Sequence, residues 1–343
     1  MSVESSYVSG TSESPLIHRS IGGVLVDAAA RWPDRTALVV RHQGVRLDYR
    51  GLLDRADRLA RGLLALGLVP GERIGIWSPN NLEWVMTQFA TARAGLILVN
   101  INPAYRTAEL AYVLRKVGCR ALIFAPRFKA SDYVTMLDEL FAAAPPRRDG
   151  VLENPGFPEL RRLICLGSDV APRFLPFDRL GALGETVPAH VLEDLAVDID
   201  PDDPINIQFT SGTTGAPKGA TLTHFNIVNN GYFVGRGIHL GEADRLCIPV
   251  PLYHCFGMVM GVLGAVTHGA SVVFPSEAFD PLEVLSAVAE ERCTALYGVP
   301  TMFIAELAEP DFASYDLSSL RTGVMAGAPC PTEVMKQVIE RMH

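Results

Sequence analysis

Between Phe209 and Ala220 the chain reads FTSGTTGAPKGA, a run that gathers hydroxyls, glycines and one cation into a single loop. Thr210, Ser211, Thr213 and Thr214 supply the hydroxyls, Gly212, Gly215 and Gly219 free the backbone, and Pro217 stiffens the turn before Lys218. Those residue types suit phosphate oxygens, which take donors converging from a backbone that can approach closely. A cation about 4 Å from a unit negative charge is worth about 4 kcal/mol at an effective dielectric near 20, so Lys218 adds appreciably once the loop closes over phosphate. The loop is not a Walker P-loop, which requires G-x-x-x-x-G-K-[ST], because Lys218 follows proline and precedes glycine.

The elements that must position this loop follow from periodicity. The run INIQFT reads as a strand leading into it, and a helix is expected to lead out from near Thr223. Upstream, Arg50 to Leu68 places leucines and alanines at helical spacing up to Gly67. Short apolar runs then alternate with helical segments through GERIGIW, EWVMTQFATARAG, LILVNI, AELAYVLRKVG and CRALIFA. That alternation is the pattern of βαβ units and predicts an α/β fold with mostly parallel, helix-covered sheets. The acidic run DIDPDDP suggests a boundary near Asp200. The expected organisation is a mobile N-terminal tail over 1–20, a first α/β unit over 21–200 and a second over 201–343 that carries the loop. The last segment, TEVMKQVIERMH, reads as a crossover helix without its strand, which is expected of a fragment.

Composition removes several classes of function. At 343 residues, with 48% hydrophobic and 20% charged residues, the chain can bury a large core. Its net charge of -8 and its scattered Lys and Arg argue against a nucleic-acid partner. The six cysteines lie far apart, without the paired spacing of a zinc site or disulfide framework, and read as buried thiols of a reducing, cytoplasmic compartment. The most apolar stretch, Met258 to Phe274, falls short of the ~20 residues that cross a bilayer and is expected to be a buried helix running into a buried strand. No transmembrane segment is expected, peripheral membrane contact stays open, and the oligomeric state is not read. No metal ligands are assigned.

The order TSGTTGAPKG followed by LTHFN resembles the signature loop of the adenylate-forming superfamily, the acyl-CoA synthetases and their relatives. The resemblance extends over nearly the whole chain. LDYRGLLDRADRLARGLLALGLVPGERIGIWSPNNLEW and NINPAYRTAELAYVL are similar to the N-terminal core of these enzymes, PLYHCFGM to the next motif, and MAGAPCP to the start of the adenine-binding segment. FTSGTTG, PLYHCFG, LYGVPTMF and DLSSLRTGVMAGAP are most similar to medium-chain fatty acyl-CoA synthetases. The resemblance implies the large N-terminal domain of such an enzyme, built of two helix-covered sheets and incomplete, with the small C-terminal domain absent.

What it implies about chemistry is ATP-dependent: a fatty-acid carboxylate attacks the α-phosphorus, pyrophosphate leaves, and coenzyme A opens the acyl-adenylate. ATP, Mg2+ and coenzyme A are the cofactors implied. Phosphate binding falls to Thr210, Ser211, Gly212, Thr213, Thr214, Gly215 and Lys218, and His254 stands beside the carboxylate and the mouth of the acyl tunnel. His254 and Lys218 are thus the catalytic candidates. Gly327, Ala328 and Pro329 match the turn that flanks adenine, while Phe256, Gly257, Met258 and Met260, with Tyr297, Gly298 and Pro300, border the acyl pocket. The family's Tyr-Gly-x-Thr-Glu segment, its ribose-binding aspartate, the hinge and the C-terminal catalytic lysine are not found. The 343 residues alone are therefore expected to be inactive. Two alternatives remain: a fragment that binds an acyl group or nucleotide without turnover, and an aryl or amino-acid adenylating ligase.

Overall fold

A parallel strand cannot be reached by a tight turn, so alternating apolar runs and amphipathic helices commit a chain to crossover connections. The computed structural model describes residues 13–167, 170–210 and 217–342. In chain order its strands are β1 (Thr36–Val40), β2 (Val45–Asp48), β3 (Arg73–Trp77), β4 (Ile97–Ile101), β5 (Cys119–Phe124), β6 (Arg127–Phe128), β7 (Ser131–Asp132), β8 (Arg162–Cys165), β9 (Leu175–Pro176), β10 (Pro204–Thr210), β11 (Lys218–Thr223), β12 (Arg245–Cys247), β13 (Ser271–Phe274), β14 (Ala295–Gly298) and β15 (Thr322–Met325). They form a seven-stranded sheet ordered β11-β10-β4-β3-β5-β8-β9, a six-stranded sheet ordered β15-β14-β12-β13-β1-β2, and the small hairpin β6-β7. Pairing is parallel except at β1-β2, β10-β11 and β6-β7.

The sheets do not divide the chain near Asp200. β10 and β11 lie beyond that point yet complete the first sheet, and β1 and β2 precede it yet form an edge of the second. Consecutive strands are neighbours only roughly two-thirds of the time, and the step from β9 to β10 is one of the exceptions. Here β10 is drawn to β4 in the register Asn206 to Leu98, Ile207 to Val99 and Gln208 to Asn100.

Local chemistry explains the helices nearest the site. Asp48 caps the helix Tyr49–Ala65 by accepting from the Gly51 N–H at 2.6 Å. Asn81 caps Leu82–Arg93 by accepting from Trp84 N–H at 2.8 Å. The second of these helices is buried on nearly every side, and its one buried cation, Arg93, is neutralised by Asp57 of the first at 2.6 Å. The expected helix-then-strand reading of Met258 to Phe274 corresponds to a π-helix, Phe256–Leu263, that continues as the α-helix Gly264–His268 before β13.

One apolar core lies between the two sheets and their helices, and a smaller one covers the outer face of β12 to β14. The helix His224–Gly237, which follows β11, packs directly on the π-helix. A Cβ at Gly231 would stand 2.8 Å from the Val259 carbonyl oxygen and 3.0 Å from the Gly264 nitrogen, so the contact is backbone against backbone. The Gly231→Val variant is expected to lower stability by about 1–3 kcal/mol, the usual range for overpacking, read from its urea midpoint.

Glu306 is buried among the apolar residues of the smaller core, and its Oε2 has no partner among the described residues. Burial pushes its pKa up from 4.5 to about 8. The unfolded chain releases that proton above pH 4.5 while the folded chain holds it to about pH 8. Stability from this group is therefore full below pH 4.5 and lost progressively as pH rises to about 8. Glu306→Gln is expected to flatten the wild-type decline across that window, measured by denaturation at successive pH values.

Candidate active site

In open parallel sheets, loops that carry chemistry leave from the carboxyl ends of the strands. The phosphate-loop candidates sit at such an end. β10 and β11 pair as an antiparallel hairpin whose final rung sets Thr210 opposite Lys218, with the Thr210 hydroxyl donating to the Lys218 carbonyl at 3.5 Å. Ser211, Gly212, Thr213, Thr214 and Gly215 lie outside the described residues, so the structure places the two ends of the loop. At its far end the Tyr112 hydroxyl donates to the Pro217 carbonyl at 3.1 Å, and the Tyr112 ring meets Phe209 edge-on at 6.5 Å. Lys218 is exposed. The expected helix does not follow the loop directly: β11 intervenes, because Lys218 to Thr223 find backbone partners along β10. The helix then starts at His224, capped by Thr223 through the Asn226 N–H at 3.2 Å.

His254 lies in the segment that leaves β12, just before the π-helix. Its Nδ1 accepts from the Phe256 backbone N–H at 3.1 Å. That bond leaves the ring proton of the neutral imidazole on Nε2. The residue as a whole is exposed, and partial desolvation of the ring lowers its pKa below the ordinary 6.5. The group is thus a neutral donor near pH 7, suited to hydrogen-bonding a carboxylate without taking its charge. The π-helix geometry that follows, with wider turns than an α-helix, is a feature found often at functional sites.

Gly327 stands after β15 with φ of +85°, a left-handed conformation that favours glycine, and Gly327, Ala328 and Pro329 are all exposed. A chain of contacts joins the three motifs. Gln208 Nε2 of β10 donates to the Met258 sulfur at 3.3 Å, the Tyr297 hydroxyl of β14 to the Met260 carbonyl at 3.3 Å, and Ala326 N–H to the Gly298 carbonyl at 3.2 Å. Phe256 packs on Tyr297 with ring centres 5.3 Å apart. Pro300 begins the helix Pro300–Leu307 after β14. Beside these loops lies a cavity of about 220 Å³ lined by Asn80, Asn102, Pro251, Tyr253, Phe279 and Met302 among others. A separate apolar groove of about 200 Å³ under the helix Thr332–Met342 holds none of the phosphate or His254 motif residues. Among the described residues no group of three or more His, Cys, Asp or Glu forms a metal cluster.

Five buried or half-buried amides at the site carry no role in the sequence reading: Asn80, Gln88, Asn100, Asn206 and Gln208. Asn206 Nδ2 donates to the Leu98 carbonyl at 3.1 Å and to Asn100 Oδ1 at 2.8 Å. Asn100 Nδ2 donates to the Tyr253 carbonyl at 3.0 Å and to the Met258 sulfur at 3.1 Å. The strand amides are visible in the chain as polar residues within otherwise apolar strands, Asn100 in LILVNI and Asn206 and Gln208 in INIQF, while Asn80 lies in the turn after β3 and Gln88 in the helix Leu82–Arg93.

Two helix-covered sheets with these motifs at their carboxyl ends define the N-terminal large domain of an adenylate-forming enzyme. A profile of the AMP-binding enzyme family matches residues 25–343, and the chain belongs to that family. The mouse (Mus musculus) protein "Medium-chain acyl-CoA ligase ACSF2, mitochondrial" is 42% identical over 342 residues, covering 98% of this chain and 56% of the relative. "Putative acyl-CoA synthetase YngI" of Bacillus subtilis (strain 168) is 44% identical over 327 residues, covering 95% and 59%. Among solved structures, anthranilate CoA ligase AuaEII in complex with anthranoyl-AMP superposes with a TM-score of 0.82 at 25% identity, covering 97% of this chain and 60% of that one. The N-terminal domain of FACL13 from Mycobacterium tuberculosis gives 0.78 at 25% identity, covering 94% and 73%. The chain spans little more than half the length of the curated relatives it matches.

The His254 tautomer is directly measurable. Nitrogen NMR of the imidazole at neutral pH is expected to show a protonated Nε2 and an unprotonated Nδ1, with a titration midpoint below 6.5. A protonated Nδ1 near pH 7 would contradict the assignment.

Proposed function

We propose that this chain is the ATP- and acid-binding portion of an acyl-CoA synthetase that converts a fatty acid to an acyl-adenylate and then to acyl-CoA. The observation that carries the reading is the linkage of the β10–β11 hairpin, ending at Thr210 and Lys218, to the segment that presents His254 as a neutral Nε2–H donor. In-line attack on a phosphoryl group leaves the protein chiefly to position reactants and stabilise developing charge, and a carboxylate nucleophile is already an anion that needs no base. His254 would orient that carboxylate. Thr210, Ser211, Gly212, Thr213, Thr214, Gly215 and Lys218 would hold the departing pyrophosphate, and Gly327, Ala328 and Pro329 would flank the purine.

Mg2+ would accompany the triphosphate and neutralise its charge, and this part of the chain assigns it no ligands. Coenzyme A would supply the thiol of the second step. The names of the mouse and Bacillus relatives support an acyl substrate, of medium chain length in the first case. All six cysteines are unpaired, which supports the reducing, cytoplasmic compartment proposed for the protein. The division into a first α/β subdomain over 21–200 and a second over 201–343 stands as a proposal about the sequence halves, while the sheets themselves interleave.

Carboxylate-dependent exchange of pyrophosphate into ATP by the complete enzyme tests the proposal, with octanoate as the first acid. Lys218→Ala is expected to reduce exchange by about 10- to 1,000-fold, the range for removing one preorganised charge partner. No exchange with any acid from acetate to palmitate overturns the assignment, and thioester formation by the 343 residues alone overturns the expectation that they are inactive.

A further inference from the structure

The segment that carries His254 makes few of the backbone bonds that regular structure would give it. Between β12 and the π-helix it runs through Pro249 and Pro251, two residues without an N–H, so a ladder cannot fix it. Two asparagines from the other sheet take that place. Asn80 follows β3, is 2% exposed, and meets the segment with both ends of its amide: Nδ2 donates to the Val250 carbonyl at 3.0 Å and Oδ1 accepts from Leu252 N–H at 2.7 Å. Asn100 lies in the neighbouring strand β4, is also 2% exposed, and donates to the Tyr253 carbonyl immediately before His254. It also reaches the Met258 sulfur four residues later, and its own Oδ1 is fixed by Asn206.

We propose that Asn80 and Asn100 are positioning residues that hold the His254 segment of the second sheet against the carboxyl ends of β3 and β4 in the first. The proposal rests on the acid-binding role given to His254 above and deepens it. Asn80 borders the cavity beside these loops, but both ends of its amide are taken by backbone. Each acts through backbone: Asn80 brackets Pro251, and Asn100 fixes the peptide leading into His254 and the start of the π-helix. Within its own segment the His254 N–H donates to the Pro251 carbonyl at 3.2 Å, its carbonyl accepts from the Gly257 and Met258 N–H groups, and the Phe256 N–H bond to Nδ1 fixes the ring's tautomer; these bonds are local and do not fix where the segment stands against the first sheet. A side-chain amide that donates and accepts on both sides of a proline gives this stretch the pair of bonds a strand neighbour would have supplied. Because β3 and β4 are adjacent and parallel, with Trp77 opposite Ile101, the two clamps act from one rigid base. The base reaches the phosphate hairpin as well, since Asn100 pairs in register with Gln208 of β10.

The test uses the 343-residue chain and its His254 imidazole resonances, assigned by their loss in His254→Gln. Asn80→Ala and Asn100→Ala are expected to move the His254 midpoint up toward the ordinary 6.5. They are also expected to weaken octanoate binding, measured by calorimetry, by about 10- to 100-fold, and to weaken ATP binding less. In a His254→Ala background the Asn100→Ala step is expected to cost no further octanoate affinity, which a merely structural loss would still do. Asn80→Asp keeps the acceptor for Leu252 N–H and gives a smaller change, so the comparison survives if an alanine variant does not fold. An unmoved His254 midpoint in every variant overturns the proposal, as does an octanoate loss of equal size with and without His254. If the wild-type chain binds no octanoate, the acid-binding reading fails, and the titration still decides whether the amides hold the segment.

Discussion

The two sheets are joined by hydrogen bonds as well as by hydrocarbon, and the Asn206–Asn100–Tyr253 series of bonds fixes where one stands against the other. Apolar contact is roughly indifferent to a slide of an ångström or two, whereas a buried amide that loses its partner costs about 1–3 kcal/mol. Asn100 and Asn206, each almost wholly buried, therefore define a position that packing alone would leave soft. Two acceptors in the same cluster, Gln88 Oε1 and Asn206 Oδ1, lack a partner among the described residues, so the arrangement is held at a cost and not as the cheapest filling of the core. Buried polar groups retained in this way fit the view that they specify geometry more than they add stability.

The electrostatics of the site are local. The chain carries net charge of -8, yet the β10–β11 hairpin ends on an exposed lysine without a carboxylate in its motif. An anion meets attraction there against an overall negative field, which favours ligands that can place several oxygens in the loop over anions in general. The histidine side is kept uncharged. Burial lowers the pKa of His254, and also that of His224 to about 4, where His224 Nδ1 accepts the Ile21 N–H at 3.1 Å. A neutral donor and one exposed cation make a surface suited to a carboxylate and to phosphate oxygens.

Much of the architecture was legible because parallel strands buried on both faces read as continuous apolar runs, as in CRALIFA and ASVVF. The motif residues were legible through their types and order. Sheet membership was not, since β10 is assigned to the first sheet by register with β4 over a gap of about a hundred residues that no local pattern encodes. The strand β11 was hidden for a related reason: KGATLT is short, exposed and weakly apolar, and is a strand only because β10 offers it a free edge. Nor does periodicity distinguish a π-helix from an α-helix in a segment as uniformly apolar as FGMVMGVL. The positioning amides were visible as polar interruptions, but their partners lie on loops of the other sheet.

A rigid frame is what preorganisation requires, because freedom lost before binding is not lost during it. Here the frame closes on itself. The hairpin base is tied to β4 through Asn206 and Gln208, the His254 segment to β3 and β4 through Asn80 and Asn100, and the helix after β11 to the π-helix through Gly231. Each motif is therefore anchored at two places to elements that are anchored to each other. Movement at one motif must either break a buried hydrogen bond or shift a backbone contact already at its closest approach. The last rung of the hairpin, Thr210 opposite Lys218, stands on this frame, with the neighbouring Pro217 carbonyl held by the Tyr112 hydroxyl.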